Sequence, residues 1–178
     1  MRLFIAIEIP EDVKEYMVKI QEKVDDTTAK IRLVKKNQIH LTLKFLGEVQ
    51  PDKIEDIKKA LKKITFNPFS ACLDKIGVFP NESYIRVIWI GLEPEEPILE
   101  LQKDIDENLK KLFKKEKDFK SHLTLARVKY IEDKNNFINK LKTINIENKK
   151  IDINCFKLIK STLTSEGPVY EESEIFSK

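Results

Sequence analysis

His40-Leu41-Thr42-Leu43 and His122-Leu123-Thr124-Leu125 are two copies of one tetrapeptide, and they contain the only two histidines of the chain. Successive side chains of a β-strand point to opposite faces, so each copy predicts a strand with His and Thr on one face and both Leu on the other. The Leu face would anchor each strand in a core. Two such strands facing each other would form a cleft that contains two imidazoles and two hydroxyls.

A single His-x-Thr in a strand is common and usually carries no function. The repetition changes the interpretation, because both histidines of the protein fall in the same context at two distant points of the chain. Unperturbed imidazole titrates near neutral pH, so a pair of imidazoles can supply an acid and a base. We therefore predict that His40 and His122 are catalytic residues and that Thr42 and Thr124 lie beside them.

The composition is that of a water-soluble globular protein, with 41% hydrophobic and 35% charged residues in a chain of 178. The net charge of +3 is too balanced for bulk attraction of nucleic acid, so a nucleic-acid site would be a local patch. No stretch approaches the roughly 20 apolar residues of a membrane span, and the first apolar run is too short for a signal peptide. We expect a cytoplasmic monomer.

Hydrophobic periodicity predicts strands and helices in alternation. An apolar stripe with helical spacing predicts a helix from about Glu11, and similar stripes predict helices over 52–64, after Pro94 and Pro97, and over 134–144. The predicted strands cover residues 3–9, 31–34, 39–46, 70–79, 84–92, 119–130 and 150–160. A turn at 165–170 precedes a last short strand.

The two halves of the chain can be overlaid with an offset that hardly changes. The matched pairs are Arg2 and Arg86, His40 and His122, and Cys72 and Cys155. We predict one domain over 1–178, made of two pseudo-symmetric lobes with approximate repeats at 1–80 and 84–164. The expected fold class is α+β: a bilobal, internally duplicated chain with two antiparallel sheets and outer helices around a central cleft.

Five stretches carry a resemblance to a known family. They are Arg2-Leu3-Phe4-Ile5-Ala6-Ile7, residues 40–49, Arg86-Val87-Ile88-Trp89-Ile90-Gly91-Leu92, residues 122–127, and residues 163–170. They resemble the 2H phosphoesterase superfamily, named for its two His-x-Thr-x motifs. The most similar members are the LigT-type RNA 2′,3′-cyclic phosphodiesterases, also called 2′-5′ RNA ligases. Ser121 is a departure, because the family often has proline before the second histidine.

The resemblance implies hydrolysis of a 2′,3′-cyclic phosphate at an RNA end to a 2′-phosphomonoester, with no metal and no cofactor. It makes His40 the proton donor and His122 the proton acceptor. Some members also join tRNA halves through a 2′-5′ bond without ATP. The implied partners are RNA ends or small cyclic nucleotides, with tRNA fragments as the natural source.

Four further residues are candidates for binding substrate. Arg127 lies three residues after Thr124, so a twist or bulge must bring it round to the histidine face, and the family precedent says that it contacts substrate. Lys44 shares the face of His40 in a regular strand and would add positive charge. Phe4 either stacks on a base or belongs to the core. Tyr170, in the tail turn, would border the cleft.

Other interpretations stay open. Phe45 falls on the Leu face of its strand, which favours the core. The lysine runs at 58–63 and 110–117 either form solvated helix faces or guide RNA. The protein is either the enzyme described, a nucleotide- or RNA-binding module without turnover, or a phosphodiesterase for another nucleotide such as 2′-5′ oligoadenylate. Intact His and Thr in both motifs favour an enzyme.

Overall fold

The computed structural model describes residues 1–25, 28–165 and 167–177. The strands in these ranges are β1 Arg2–Glu8, β2 Ala29–Leu33, β3 His40–Glu48, β4 Phe69–Asn81, β5 Tyr84–Glu93, β6 His122–Ile131, β7 Lys150–Ile153, β8 Cys155–Thr164 and β9 Gly167–Ser177. The helices are α1 Glu11–Val24, α2 Ile54–Leu61, α3 Glu96–Leu109 and α4 Lys134–Thr143. Short 3-10 turns cover Lys36–Gln38 and Pro51–Lys53.

The strands form two antiparallel sheets. The first sheet has the order β3-β1-β8-β9, and the second has the order β2-β6-β5-β4-β7. The two motif strands, β3 and β6, therefore belong to different sheets. The predicted α+β fold with two antiparallel sheets is confirmed.

Each sheet combines strands from both halves of the chain, because β4 pairs with β5 and β8 pairs with β1. The segment 150–160, predicted as one strand, is two: β7 joins the second sheet and β8 joins the first. The sequence carries the cause of this break. Ile151 and Ile153 are buried, and the next buried residues are Phe156 and Leu158. The alternation thus changes phase at Asn154, where the chain crosses between sheets.

The leucines of both motifs lie in the core, as the sequence predicted. Leu41, Leu43, Leu123 and Leu125 are each at most 1% exposed. Burial of such a side chain stabilises the fold by about 1.5–3 kcal/mol. A slip of one residue would move these leucines to the cleft and the histidines to the core, so their burial fixes the register of both strands.

The last strand, β9, is longer than the short strand predicted from the sequence. It pairs with β8 along Gly167–Ser177. Ion pairs between the two strands support this pairing. Oε2 of Glu172 lies 2.6 Å from Nζ of Lys157, and Oε2 of Glu171 lies 2.7 Å from Nζ of Lys160. Charged cross-strand pairs leave no hydrophobic alternation in the sequence, which explains the short prediction. Glu166, within the predicted turn, lies outside the described residues.

Candidate active site

A cavity of about 320 Å³ is lined by residues of both sheets, and both motifs contribute to it. His40 and Thr42 come from β3, and His122 and Thr124 come from β6. The structure thus brings together the two imidazoles and the two hydroxyls that the sequence predicted to share a cleft. The lining also includes Phe4, Phe45, Arg2, Arg32, Arg127 and Tyr170.

A β-bulge in β3 reverses the expected directions of the two residues after the first motif. Pairing with β1 skips Leu43, so Leu43 and the following Lys44 both face the core. The prediction that Lys44 lies on the histidine face is wrong. Its side chain is 2% exposed, and its Nζ lies 2.5 Å from Oδ1 of Asp106. Phe45 is turned the other way, into the cavity.

A second bulge occupies the same place in β6. Pairing with β5 skips Leu125, and both Leu125 and Ala126 are buried. Arg127 is thereby brought to the face of His122 and Thr124, where it lines the cavity. Strand alternation places Arg127 on this face only with a twist or bulge, and the bulge is present.

Each bulge is held by a buried polar side chain at the same position of a 14-residue helix. Gln21 of α1 donates from Nε2 to the carbonyl oxygens of Leu125 and Val34, both at 2.8 Å. Asp106 of α3 accepts from Nζ of Lys44. Because the helices reach the bulges from outside the cavity, they set the direction of the side chains inside it.

Each imidazole forms a hydrogen bond with the backbone two residues before it. Nδ1 of His122 lies 2.8 Å from the carbonyl oxygen of Lys120, and the backbone of Gln38 forms a hydrogen bond with the imidazole of His40. A carbonyl oxygen only accepts, so Nδ1 of His122 carries a proton. This leaves Nε2 as the nitrogen that exchanges a proton with a ligand.

Aromatic rings pack against both imidazoles. The ring centroids of Phe4 and Tyr170 lie 4.8 and 5.3 Å from that of His40. The ring of Phe79 lies 4.9 Å from that of His122. These contacts restrict the rotation of each imidazole and shield it from water.

Burial lowers the pKa of both imidazoles. It lowers the pKa of His40 to about 4, and the charges of Lys14 and His122 add to the effect. Burial also lowers the pKa of His122, assisted by the charges of Arg127 and Lys120. Both imidazoles are therefore mostly neutral at pH 7 in the free protein. An anionic ligand in the cavity would raise both pKa values, because it stabilises the charged form.

Both aromatic candidates from the sequence, Tyr170 and Phe4, line the cavity. Phe4 is only 2% exposed, so its ring supports His40 and has no open face for a base. Phe45, which the sequence favoured as a core residue, is 63% exposed and lies 6.0 Å from the ring of Phe4. A base can therefore reach the ring of Phe45 but not that of Phe4.

The charged residues that line the cavity are all arginines. Three of the four arginines of the chain, Arg2, Arg32 and Arg127, line it. The described lining residues include no lysine and no carboxylate. A planar guanidinium binds phosphate with two parallel hydrogen bonds, so this lining suits a phosphate ligand. The sequence pointed to Arg127 alone, because the pairing of β2 with β6 that places Arg32 leaves no sequence signal.

The described residues contain neither a metal-binding cluster nor a helix that could cross a membrane. No group of three or more His, Cys, Asp and Glu side chains in those ranges is placed to hold a metal ion. None of the helices formed there combines the length and the apolar character needed to cross a membrane.

A family model and two relatives that match almost the whole chain agree on one family. The model of the family "LigT like Phosphoesterase" matches residues 7–89 and again residues 90–170. An RNA 2′,3′-cyclic phosphodiesterase of Methanocaldococcus jannaschii is 43% identical over 173 residues, 96% of this chain and 97% of that protein. One of Archaeoglobus fulgidus is 34% identical over 178 residues, 99% of each chain.

Solved structures show the same fold. The protein TT0787 of Thermus thermophilus has a TM-score of 0.80 and 31% identity, over 99% of this chain and 97% of that one. LigT of E. coli in complex with 3′-AMP has a TM-score of 0.79 with the same coverage, and at 24% identity it shows the fold alone. The family model covers nearly the whole chain, and full-length relatives agree with it. The chain belongs to the family of LigT-like phosphoesterases.

Proposed function

We propose that this protein hydrolyses the 2′,3′-cyclic phosphate at RNA ends to a 2′-phosphomonoester. The observation that carries the proposal is that His40 and His122, from corresponding strands of two sheets, line one cavity together with Thr42 and Thr124. Relatives that match almost the whole chain are named RNA 2′,3′-cyclic phosphodiesterases, which supports the same substrate class here.

The reaction needs a base for the attacking water and an acid for the leaving ribose oxygen. The attacking and leaving oxygens lie on opposite sides of phosphorus, which suits imidazoles supplied by two separate strands. We assign His122 as the base that takes a proton from water, and His40 as the acid that protonates the 3′ oxygen. The bond from phosphorus to the water oxygen forms, the bond to the 3′ oxygen breaks, and the 2′ ester remains.

The remaining polar groups stabilise the charge on the phosphoryl oxygens. The hydroxyls of Thr42 and Thr124 donate hydrogen bonds to the non-bridging oxygens, and the guanidinium of Arg127 adds positive charge on the side of His122. Tyr170 and Phe4 keep His40 in place, and Lys44 takes no direct part because Asp106 binds it in the core.

His40 must carry a proton to act as an acid. In the free protein burial lowers the pKa of its imidazole to about 4, so the imidazole is mostly neutral at pH 7. The negative charge of the bound phosphodiester must therefore raise this pKa. Since kcat/KM reports the free enzyme and kcat the complex, we expect the pH optimum of kcat to lie above that of kcat/KM. Coinciding optima would remove this account of how His40 acquires its proton.

The direct test uses a nucleoside 2′,3′-cyclic phosphate with the wild-type protein, with and without EDTA, and identifies the product by phosphorus NMR. We expect the 2′-monoester, with activity that survives EDTA. Replacement of either histidine by alanine should lower the rate roughly 10²–10⁴-fold, as the loss of an acid or base does. Binding without turnover would instead favour a binding module. Complete loss in EDTA with rescue by zinc would refute metal-free catalysis.

We also propose a natural substrate, an oligomeric state, a location and a second activity, all on the basis of the family resemblance. The natural substrates are tRNA fragments, the protein acts as a monomer in the cytoplasm, and ATP-independent 2′-5′ ligation of tRNA halves accompanies hydrolysis. Incubation of tRNA halves with the protein in the absence of ATP, followed by gel analysis, tests the ligation. A second candidate substrate is 2′-5′ oligoadenylate, and its hydrolysis is compared with that of the nucleoside 2′,3′-cyclic phosphate.

A further inference from the structure

Two arginines face each other across neighbouring strands at the cavity. Arg32 of β2 lies directly opposite Arg127 of β6, and both line the cavity. Like charges in this relation repel each other and destabilise a sheet. No carboxylate of the described residues forms an ion pair with either guanidinium. Such a pair is stabilised when anionic groups occupy the cavity in front of it.

The two guanidiniums occupy different parts of the cavity. Arg127 follows Thr124 by three residues on β6, and its charge adds to burial in lowering the pKa of His122, whereas the guanidinium of Arg32 lies beside Gly167 of β9. Arg127 therefore belongs to the reacting centre. Arg32 lies on the edge strand of the second sheet, one strand farther from β5.

Arg32 extends towards the β8–β9 hairpin of the other sheet. An added Cβ on Gly167 would lie 3.3 Å from its Nη2, so the absence of a side chain at Gly167 leaves room for the guanidinium. Nearby, Nε2 of Gln38 donates to the carbonyl oxygen of Pro168 at 2.8 Å and joins the two sheets. Arg32 thus lies at the end of the cavity where the sheets meet.

We propose that Arg32 binds a second phosphate, the one that links the terminal nucleoside to the preceding nucleotide, so that the preferred substrate is an oligonucleotide with a cyclic phosphate end. This inference rests on the proposed function and adds the residue that binds the second phosphate of the substrate. A cyclic mononucleotide carries one phosphate, for which Arg127 and the two threonine hydroxyls already provide donors. Two guanidiniums on neighbouring strands, neither paired with a carboxylate of the described residues, match two phosphates.

The decisive comparison uses a nucleoside 2′,3′-cyclic phosphate and a dinucleotide that ends in the same group. For Arg32→Gln, we expect the preference for the dinucleotide, as the ratio of the two kcat/KM values, to fall roughly 10- to 100-fold, the range of one charge-assisted hydrogen bond. The fall should appear mainly in KM. Arg86→Gln is the matched control, because Arg86 stacks over the ring of Tyr84, 5.6 Å away, and does not line the cavity. It should leave the ratio unchanged.

Two further measurements examine the charge itself. The salt dependence of dinucleotide binding should lose a slope of about 0.7 in Arg32→Gln, as expected for one phosphate contact to a single strand. A neutral methylphosphonate at the internucleotide linkage should lower the wild-type preference to the level of Arg32→Gln and have little effect on that variant. The wild-type arm of this experiment does not depend on the folding of the variant.

An unchanged preference ratio in Arg32→Gln would overturn the inference, and so would a wild-type protein that hydrolyses the charged and the methylphosphonate dinucleotides equally well. Equal losses on both substrates would place Arg32 at the reacting centre instead. None of these outcomes would argue against hydrolysis of the cyclic phosphate by this protein. If the wild-type protein hydrolyses neither substrate, the proposed function fails, and the inference fails with it.

Discussion

Ser121 stands immediately before the second motif, where it is 1% exposed. Its backbone N–H donates to Oε1 of Glu95 at 2.8 Å, a hydrogen bond that proline cannot make. Its Oγ has no hydrogen-bond partner among the described residues. A buried hydroxyl without a partner costs about 1–3 kcal/mol, so this residue lowers the stability of the strand that carries His122.

Replacement of Ser121 by alanine should therefore raise the free energy of unfolding by about 1 kcal/mol, because it removes the unpaired hydroxyl and keeps the bond to Glu95. Urea denaturation measures the change. Ser70→Ala is the control, since the hydroxyl of Ser70 donates to Asp152 at the surface and its removal should bring no gain. A loss of stability in Ser121→Ala would mean that the hydroxyl has a partner, such as a buried water.

At the scale of elements, the bulges in β3 and β6 decide which side chains reach the cavity. The sequence predicted His40, Thr42, His122 and Thr124 correctly, because strict alternation holds within each tetrapeptide. It fails directly afterwards, since a bulge adds one residue without leaving a pattern in the side chains. Lys44 was assigned to the cavity for this reason.

Nonlocal pairing accounts for the other residues that the sequence missed. Phe45 is turned into the cavity by the bulge, and Arg32 arrives there because β2 of the first half pairs with β6 of the second. The break between β7 and β8 was visible in the sequence as a change of phase after Ile153. A phase shift of one residue is a weak signal, however, because the segments on both sides of it favour a strand.

Gln21 is the positioning residue for the bulge that directs Arg127. Replacement of Gln21 by leucine leaves the carbonyl of Val34 without its side-chain donor and weakens the support of Leu125. We expect the free energy of unfolding to fall by about 1–3 kcal/mol. We also expect kcat/KM to fall, and this loss should largely disappear in an Arg127→Gln background, because Gln21 acts through Arg127.

The matched control for this cycle is Gln102→Leu. Gln102 is also a buried glutamine on a helix, but its Nε2 donates to Asp106, which holds Lys44 beside the other bulge. Its effect should add to that of Arg127→Gln. Additive losses for Gln21→Leu as well would show that Gln21 stabilises the fold without directing Arg127.

In the whole molecule, each sheet contains two strands from the other half of the chain, and the two motif strands face one cavity. We propose that an internal duplication produced this arrangement. The order β3-β1-β8 in the first sheet corresponds to β6-β5-β4 in the second, and α1 and α3 have equal length. This correspondence supports the proposal, and the duplication stays a prediction.

The burial of His40 makes the stability of the whole molecule depend on pH. Its pKa is about 4 in the folded protein and 6.5 without burial, so between these values the unfolded chain binds more protons. The free energy of unfolding should fall as pH is lowered from 6.5 to 4, with His40 contributing up to about 3 kcal/mol. Denaturation of wild type and His40→Asn across this range isolates that part, which the variant should lack. Parallel curves would contradict it.

We assign His40 and His122 as the acid and the base of one turnover. The most direct measurement compares both alanine variants on a cyclic phosphate and on a nitrophenyl phosphodiester, whose leaving group needs no proton. We predict that His40→Ala loses roughly 10²–10⁴-fold on the cyclic phosphate and far less on the nitrophenyl ester, whereas His122→Ala loses activity on both. Equal losses of the two variants on both substrates, or the reverse order, would contradict the assignment.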